Sequence, residues 1–498
     1  MTLGLVGAGL VMATGQAPLG WSWLAFLALM AGLFMSLGAE GWRGSAWRGG
    51  ALGFGYFCGT LFWIVEPFFV DAVRHAWMAP FALVGLAGFM ASYWSLAFGL
   101  AGWLGRDRMR RAMWLVVLLS AAEMVRSYAF TGFAWALISY MWVDTPQLQS
   151  VALIGPYGLT LVTVAAAAVP GALGAARMLL GLFVGGAILS LPAMYGLWQM
   201  SQPVPPRESP LNVRIVQVNA PQHLKWHPDH IPTYFRRHLD LSAQEGETEP
   251  DLILWPETAV PYMLDQADEV LPYISNAAGD ATVVFGIQRR AGSDAHNSLA
   301  AIDADGALIH VYDKHHLVPF GEFFPWAHFF GRFGLRGLAE AAEFGYTPGP
   351  GIEVLDLGPL GKMLPLICYE AIFPHDVWGA PERADWILHI TNDAWFGNIA
   401  GPHQHLAQAQ VRAVEQGLPV LRAANTGISA IIDARGQVLT SVPLNTIGTI
   451  DGVLPGSLPP TLYARSGDWP MVLFLLGLGT GLLLLTARKP VDRPSQPT

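Results

Sequence analysis

Residues 364–370 read Leu364-Pro365-Leu366-Ile367-Cys368-Tyr369-Glu370. A short apolar run that stops at a reactive side chain predicts a buried strand, here Leu364–Cys368, with the cysteine at its C-terminal end. The same pattern occurs upstream, where the apolar run Leu252–Trp255 is followed by Pro256-Glu257. Working outward, further strands are predicted at Val213–Val218, Thr282–Ile287, Ser298–Asp303, Leu308–Tyr312, Trp386–Thr391, Val420–Ala424, Ser429–Asp433 and Val438–Leu439. Asp305-Gly306 and Arg435-Gly436 supply tight turns. Helices are predicted at Pro232–Gln244, with proline at its start and Gly246 just past its end, and at His405–Gln416. Strands alternating with helices argue for a layered α/β fold. In such folds reactive groups gather beyond the C-terminal strand ends, where Glu257 and Cys368 both lie.

The rest of the chain has a different composition. Of 498 residues, 53% are hydrophobic and 13% charged, against about 25% charged in an average soluble domain. The deficit falls in residues 1–200, a predicted transmembrane domain of about seven helices. Candidate spans lie near 3–19, 22–38, 50–68, 78–105, 112–130, 151–173 and 178–199, with a C-terminal helix at 469–487. The first has the length of a signal peptide but no basic n-region. A stiff Pro-rich linker, 201–210, leads into a polar domain at 211–455. Arg43, Arg48, Arg106, Arg108, Arg110, Arg111, Arg177, Arg488, Lys489 and Arg493 flank one set of loops, and only Arg74 and Arg126 the other. This bias predicts that the even-numbered exits are cytoplasmic and that the polar domain faces the far side, the periplasm in a bacterium. Glu123 and Arg126 share a helix face and are read as an ion pair.

The net charge of −9 comes with no basic stripe, which argues against a nucleic-acid partner. Cys58 and Cys368 are the two cysteines, one in an apolar run and one in the polar domain, so no disulfide is expected. A lone cysteine at a strand end is ordinarily a small buried hydrophobe. Glu257 and Lys314 change that balance. Lys314 ends the predicted strand at Tyr312-Asp313, and His315 and His316 follow it. A carboxylate can take the thiol proton, and a lysine can hold charge on a tetrahedral intermediate. His403 and His405 lack a third suitably spaced ligand, so no metal site is assigned, and no cofactor is expected.

Glu257, Lys314 and Cys368 resemble the Glu-Lys-Cys triad of the nitrilase, or carbon–nitrogen hydrolase, superfamily, which implies an α-β-β-α sandwich. Narrower words resemble the apolipoprotein N-acyltransferase family: Leu254-Trp255-Pro256-Glu257, residues 316–322 (HLVPFGE), Cys368-Tyr369-Glu370 and residues 391–397 (TNDAWFG). So does the seven-plus-one helix layout, and the resemblance spans essentially the whole chain. The fold class expected is therefore a multi-pass α-helical membrane domain plus an α/β nitrilase-like α-β-β-α sandwich. The resemblance implies acyl transfer from a phospholipid donor, through a Cys368 thioester, to the diacylglyceryl-cysteine amine of an apolipoprotein acceptor. Glu257 would be base and Lys314 oxyanion stabiliser, with Glu322, Glu370, Tyr369 and Trp226 in support. Ala134, in Phe133-Ala134-Trp135, stands where the family's word has proline.

Substrates of that kind require contact with membrane lipid. The aromatic stretch Phe323-Phe324-Pro325-Trp326, continuing through Phe329, Phe330, Phe333 and Leu335, reads as an arm dipping into lipid. Gly321, Gly331, Gly334 and Gly337 interrupt it and disfavour a regular core element. Trp395-Phe396-Gly397 is a candidate second loop. The alternative is a membrane-tethered amidase or nitrilase that hydrolyses a C–N bond with the same triad.

Overall fold

The computed structural model describes residues 1–325 and 345–487. Trp326, the rest of the expected arm, and Arg488, Lys489 and Arg493 lie outside the described residues.

Apolar sequence becomes helix in the first part of the chain. Long helices run Thr2–Ala13, Ser22–Leu37, Gly41–Thr60, Ala79–Leu104, Arg108–Tyr128, Val151–Leu173 and Met178–Ser201, and Trp469–Ala487 follows the polar part. Among the described residues, Ala72–Leu104, Pro146–Leu173 and Ala175–Ser201 are long and apolar enough to cross a membrane. Gly41–Thr60 with Phe62–Phe69 is a fourth if its 46° bend is taken within one span. The expected span 50–68 is thus corrected. The helix starts earlier and breaks after Thr60, before a 3-10 turn that contains Pro67. Thr2–Ala13 and Ser22–Leu37 are apolar but shorter.

Glu123 and Arg126 are fully buried and doubly bonded to each other, at 2.8 and 2.9 Å. The remaining guanidinium donors bond the carbonyls of Phe133 (2.7 Å), Trp135 (2.8 Å) and Ala136 (3.0 Å). The pair therefore neutralises its own charge and also satisfies the irregular segment that follows its helix, as a buried charge in an apolar setting requires. Arg126 is an internal staple, not the loop-flanking residue assumed in the charge count.

Among the described residues, the polar part contains two six-stranded sheets. Strands β1 (Asn212–Gln217), β2 (Leu252–Leu254), β3 (Thr282–Ala291), β4 (Asp294–Ile302), β5 (Leu308–Asp313) and β12 (Gly448–Val453) form one, in the order β12-β1-β2-β3-β4-β5. The other runs β11-β10-β9-β8-β7-β6, from β6 (Leu355–Asp356), β7 (Lys362–Ile367), β8 (Trp386–Thr391), β9 (Val420–Ala424), β10 (Ser429–Ile432) and β11 (Val438–Val442). Val213, Ile215 and Leu254 meet Ile367, Leu388 and Leu421 in the layer between the sheets. The alternate residues Val216, Ile253 and Phe285 face the helices Ile231–Ser242 and Leu271–Ala278. Leu364, Leu366 and Val420 face the helix Gly401–Gln416 on the opposite side. Burial on both faces explains why these strands read as continuous apolar runs. The fold is an α-β-β-α sandwich joined to an apolar helical region.

The two regions share a core. Tyr369, Ile372, Phe373, Val411 and Val414 of the sandwich pack in the same buried cluster as Trp63, Trp135 and Trp142 of the helical part. Polar bonds cross the same seam, from Trp135 Nε1 to Gln404 Oε1 (2.7 Å) and from Arg412 Nη2 to the Tyr140 hydroxyl (3.1 Å).

Candidate active site

Strands β2 and β7 both run parallel to a neighbour, and the polypeptide leaves each into an abrupt turn. Cys368 begins the turn after β7 with φ of +51°. A left-handed conformation costs a residue with a Cβ roughly 1–2 kcal/mol, so the turn needs external support. Glu370, fully buried, supplies it. Its Oε2 accepts from Ile367 N (2.7 Å), and its Oε1 accepts from the Tyr312 hydroxyl (2.7 Å) and from His315 N (2.9 Å) and His316 N (3.3 Å). One carboxylate therefore ties the cysteine turn to the segment that carries Lys314.

Glu257 follows β2 and is also buried. Asn297 Nδ2 donates to its Oε1 (2.7 Å) and Asn392 N to its Oε2 (2.8 Å), which fixes the plane of the carboxylate. The backbone behind it passes Gly286 so closely that a Cβ there would lie 2.4 Å from Thr258 N and 2.6 Å from Glu257 Cα. Lys314 Nζ lies 3.7 Å from Glu257 Oε1 and 2.8 Å from Glu322. Glu322 in turn accepts from Val318 N (2.7 Å) and Asn297 Nδ2 (3.0 Å).

The electrostatics follow from this packing. Burial opposes the Lys314 charge, but Glu322 and Glu257 outweigh it and hold the ammonium above its ordinary pKa. Burial pushes the Cys368 thiol up; Glu257 adds to the rise, and Lys314 opposes it. The resting sulfur is therefore a thiol beside a carboxylate, which suits proton removal during attack. Lys225 is a further buried base at the site. Burial lowers its pKa to about 8, against the pull of Glu257 and Cys368. Its Nζ donates to the Glu257 carbonyl (3.0 Å) and to Thr258 Oγ1 (2.7 Å).

The structure thus brings Glu257, Lys314, Cys368, Glu322 and Glu370 together. Trp226 is partly exposed beside them, its ring 5.6 Å from Lys225 Nζ. Tyr369 is buried and its hydroxyl donates to the Gly132 carbonyl (3.4 Å). Phe323 and Phe324 are partly buried, and Phe324 packs edge-on against exposed Phe320 at 5.2 Å. Trp395 is exposed. Phe396 corrects the expected lipid loop: it turns inward onto Trp63 (4.8 Å), His405 (5.4 Å) and Trp135 (5.5 Å).

Sequence reasoning missed Asn297, Asn392, Lys225 and a buried group behind Cys368 made of His389, Asp393 and Arg422 together with His405, which the sequence offers only as a metal-ligand candidate. Asn392 and Asp393 lay inside a quoted word, and His389 was a polar residue in an apolar strand. Nothing local marked Asn297. Among the described residues, His315, His316 and Asp376 bring metal-type ligand atoms within 4.8 Å of one another. Their nitrogens already have partners: His315 contacts Glu370 and Asp376, and His316 contacts Asp376 and the Thr131 carbonyl.

Twin sheets with a glutamate, a lysine and a cysteine at their strand ends define an enzyme of the carbon–nitrogen hydrolase type, and that family's model matches residues 212–457. Solved structures that match part of the chain include a carbon–nitrogen hydrolase from Helicobacter pylori G27. It is 16% identical, over 54% of this chain and 95% of that one, with a TM-score of 0.38. An amidase from Nesterenkonia sp. is 19% identical over 55% of this chain and 99% of that one, with a TM-score of 0.37. The model for the apolipoprotein N-acyltransferase N-terminal domain matches residues 8–169. The apolipoprotein N-acyltransferase of Rhodopseudomonas palustris is 34% identical over 98% of both chains. That of Brucella melitensis is 37% identical over 88% of this chain and 85% of its own. The chain belongs to the apolipoprotein N-acyltransferase family and is an acyltransferase.

Proposed function

We propose that the protein moves a fatty acyl chain from a membrane phospholipid to the α-amine of a diacylglyceryl-cysteine at the N-terminus of apolipoproteins. Cys368 Sγ attacks the ester carbonyl while Glu257 takes the thiol proton, and Lys314 stabilises the oxyanion. Collapse breaks the C–O bond, and Glu257 returns its proton to the departing lysophospholipid alcohol. The acceptor amine then attacks the thioester and gives up a proton to Glu257, and the thiol leaves with that proton restored. Glu322 and Glu370 hold Lys314 and the cysteine turn in place. Tyr369 and Trp226 border the site, and Phe323, Phe324 and Trp395 are its lipid-facing aromatic residues. Residues 211–455 are the catalytic domain, held between membrane domain 1–200 and helix 469–487. The setting is a bacterial inner membrane with the catalytic domain in the periplasm, a reading supported by the arginine-rich loops on the opposite side.

The observation that carries this reading is the Glu257–Lys314 contact at 3.7 Å, with both groups acting electrostatically on the Cys368 thiol. The test is incubation of the purified protein with phospholipid, then mass spectrometry of the Cys368 peptide. An acyl adduct on Cys368 that an added diacylglyceryl peptide discharges is expected. Absence of the adduct, with ammonia released from amides, would establish the hydrolase alternative instead.

A further inference from the structure

Cys368 is held from a second direction, by groups that take no part in the chemistry described above. Its main-chain carbonyl lies 3.2 Å from His389 Nε2 on β8 and 3.1 Å from His405 Nε2 on the helix Gly401–Gln416. Both imidazoles are fully buried. The protonation of His389 can be deduced. An arginine only donates, so His389 Nδ1, 2.7 Å from Arg422 Nη1, accepts, and Nε2 carries the hydrogen that goes to Cys368. Burial and then the Arg422 charge keep this ring neutral, well below its ordinary pKa. His405 is set by Asp393, whose Oδ1 lies 2.8 Å from Nδ1. Asp393 Oδ1 and the Cys368 carbonyl both only accept, so His405 serves both at once only as an imidazolium; burial lowers its pKa, and the Asp393 charge opposes that. Asp393 Oδ2 accepts from Arg422 Nη2 at 2.5 Å, and its Oδ1 accepts from Thr391 Oγ1 at 2.9 Å. Two buried imidazoles thus meet one carbonyl oxygen, and behind them Arg422, Asp393 and Thr391 hold the rings in place.

A network of this size in a sandwich core needs an explanation beyond stability, since apolar residues of similar volume would fill the space at less desolvation cost. The strained residue it grips supplies one. At φ of +51° a small rotation about Cys368 would swing Sγ away from Glu257 and Lys314. We infer that His389 and His405 are positioning residues, whose Nε2–H groups hold the Cys368 carbonyl and so aim the sulfur at the scissile carbonyl. The clamp rests on Cys368 being the nucleophile. Its parts come from β8, β9, the loop after β8 and the helix Gly401–Gln416, whereas Glu370 ties the turn to Tyr312, His315 and His316, so the two supports act through different partners.

The test uses two substitutions of similar size at His405 in the full-length protein. His405→Gln keeps a donor at the Nε2 place, toward Cys368. His405→Asn keeps one at the Nδ1 place, toward Asp393, and loses the bond to Cys368. Acyl-enzyme formation from phospholipid is followed by mass spectrometry, with kcat and the donor KM fitted separately. A misaimed nucleophile is expected to cost about 100-fold in kcat. His405→Asn should show that loss at unchanged KM, and His405→Gln should recover most of it. Equal losses in both variants, or a loss confined to KM, would overturn the clamp. If the His405 variants do not fold, the same pair at His389 applies: Asn keeps the contact with Arg422 and Gln keeps the one with Cys368. Alkylation of Cys368 by iodoacetamide is measured in parallel. If wild type forms no acyl adduct, the transferase reading fails, yet an alkylation rate that falls in Asn and not in Gln still supports the clamp.

Discussion

Glu370→Gln tests whether the cysteine turn is held electrostatically. The carboxylate accepts from three main-chain N–H groups and the Tyr312 hydroxyl, and its Oε1 also lies 2.6 Å from His315 Nδ1. An amide has one acceptor oxygen, so its NH2 must face either Ile367 N or the cluster at Tyr312, His315 and His316. A donor left unpaired in a buried place costs about 1–3 kcal/mol. Loss of the charge weakens the remaining bonds, since bonds to charged groups contribute about 1.5–3 kcal/mol and neutral ones about 0.5–1.5. The sum is on the order of 3 kcal/mol, centred on the link between Cys368 and Lys314. The assay is thermal unfolding in detergent together with the rate of adduct formation on Cys368. A lowered melting temperature and a rate reduced about 100-fold are expected. Wild-type values for both would refute the idea that this carboxylate supports the turn.

Lys314→Met should slow acyl-adduct formation by about 10²–10³-fold, as loss of an oxyanion donor does, read as the burst rate on Cys368. Phe396→Ala should destabilise the protein by about 3 kcal/mol, because it removes a ring packed against both Trp63 and Trp135. Trp395→Ala, at an exposed site, should change stability by less than about 0.5 kcal/mol; melting curves compare the two. His315 gives a pH signature. Burial lowers its pKa, but Asp376 and Glu370 overcome that and raise it to about 10, above the ordinary 6.5. A raised folded pKa means the stabilisation is complete below about 6.5 and is lost as pH rises through about 10. Melting temperature measured across that window should fall less steeply in His315→Asn.

The sequence exposed those features that end a pattern. Glu257 and Cys368 stood out because each closes an apolar run, and the structure confirms β2 and β7 immediately before them. Features inside a pattern stayed hidden. Asn297 sits mid-strand in β4 and His389 mid-strand in β8, where only a neighbour on another element gives a polar residue its purpose. Strand β12 was missed because Gly448, Asp451 and Gly452 dilute its β signal, yet full pairing with β1 holds it. Phe396 was read as lipid-facing because composition records that a residue is aromatic and not which way it points. The shared core beneath Tyr369 and Phe373 was invisible for a related reason. Its helical side is built partly from the irregular segment near Trp135, which has no period to detect.

The β1–β12 pairing sets Asn212 opposite Val453. Antiparallel partners lie about 5 Å apart, so the sandwich is entered and left at almost one point. A unit with adjoining ends can be spliced into a host chain without deforming either fold, as domain insertions generally require. A membrane protein could thus acquire the whole catalytic module through a single loop, and engineers could exchange it at the same place. What such an exchange would have to match is the underside, where Ile372, Phe373 and Val411 must find apolar partners in the new host.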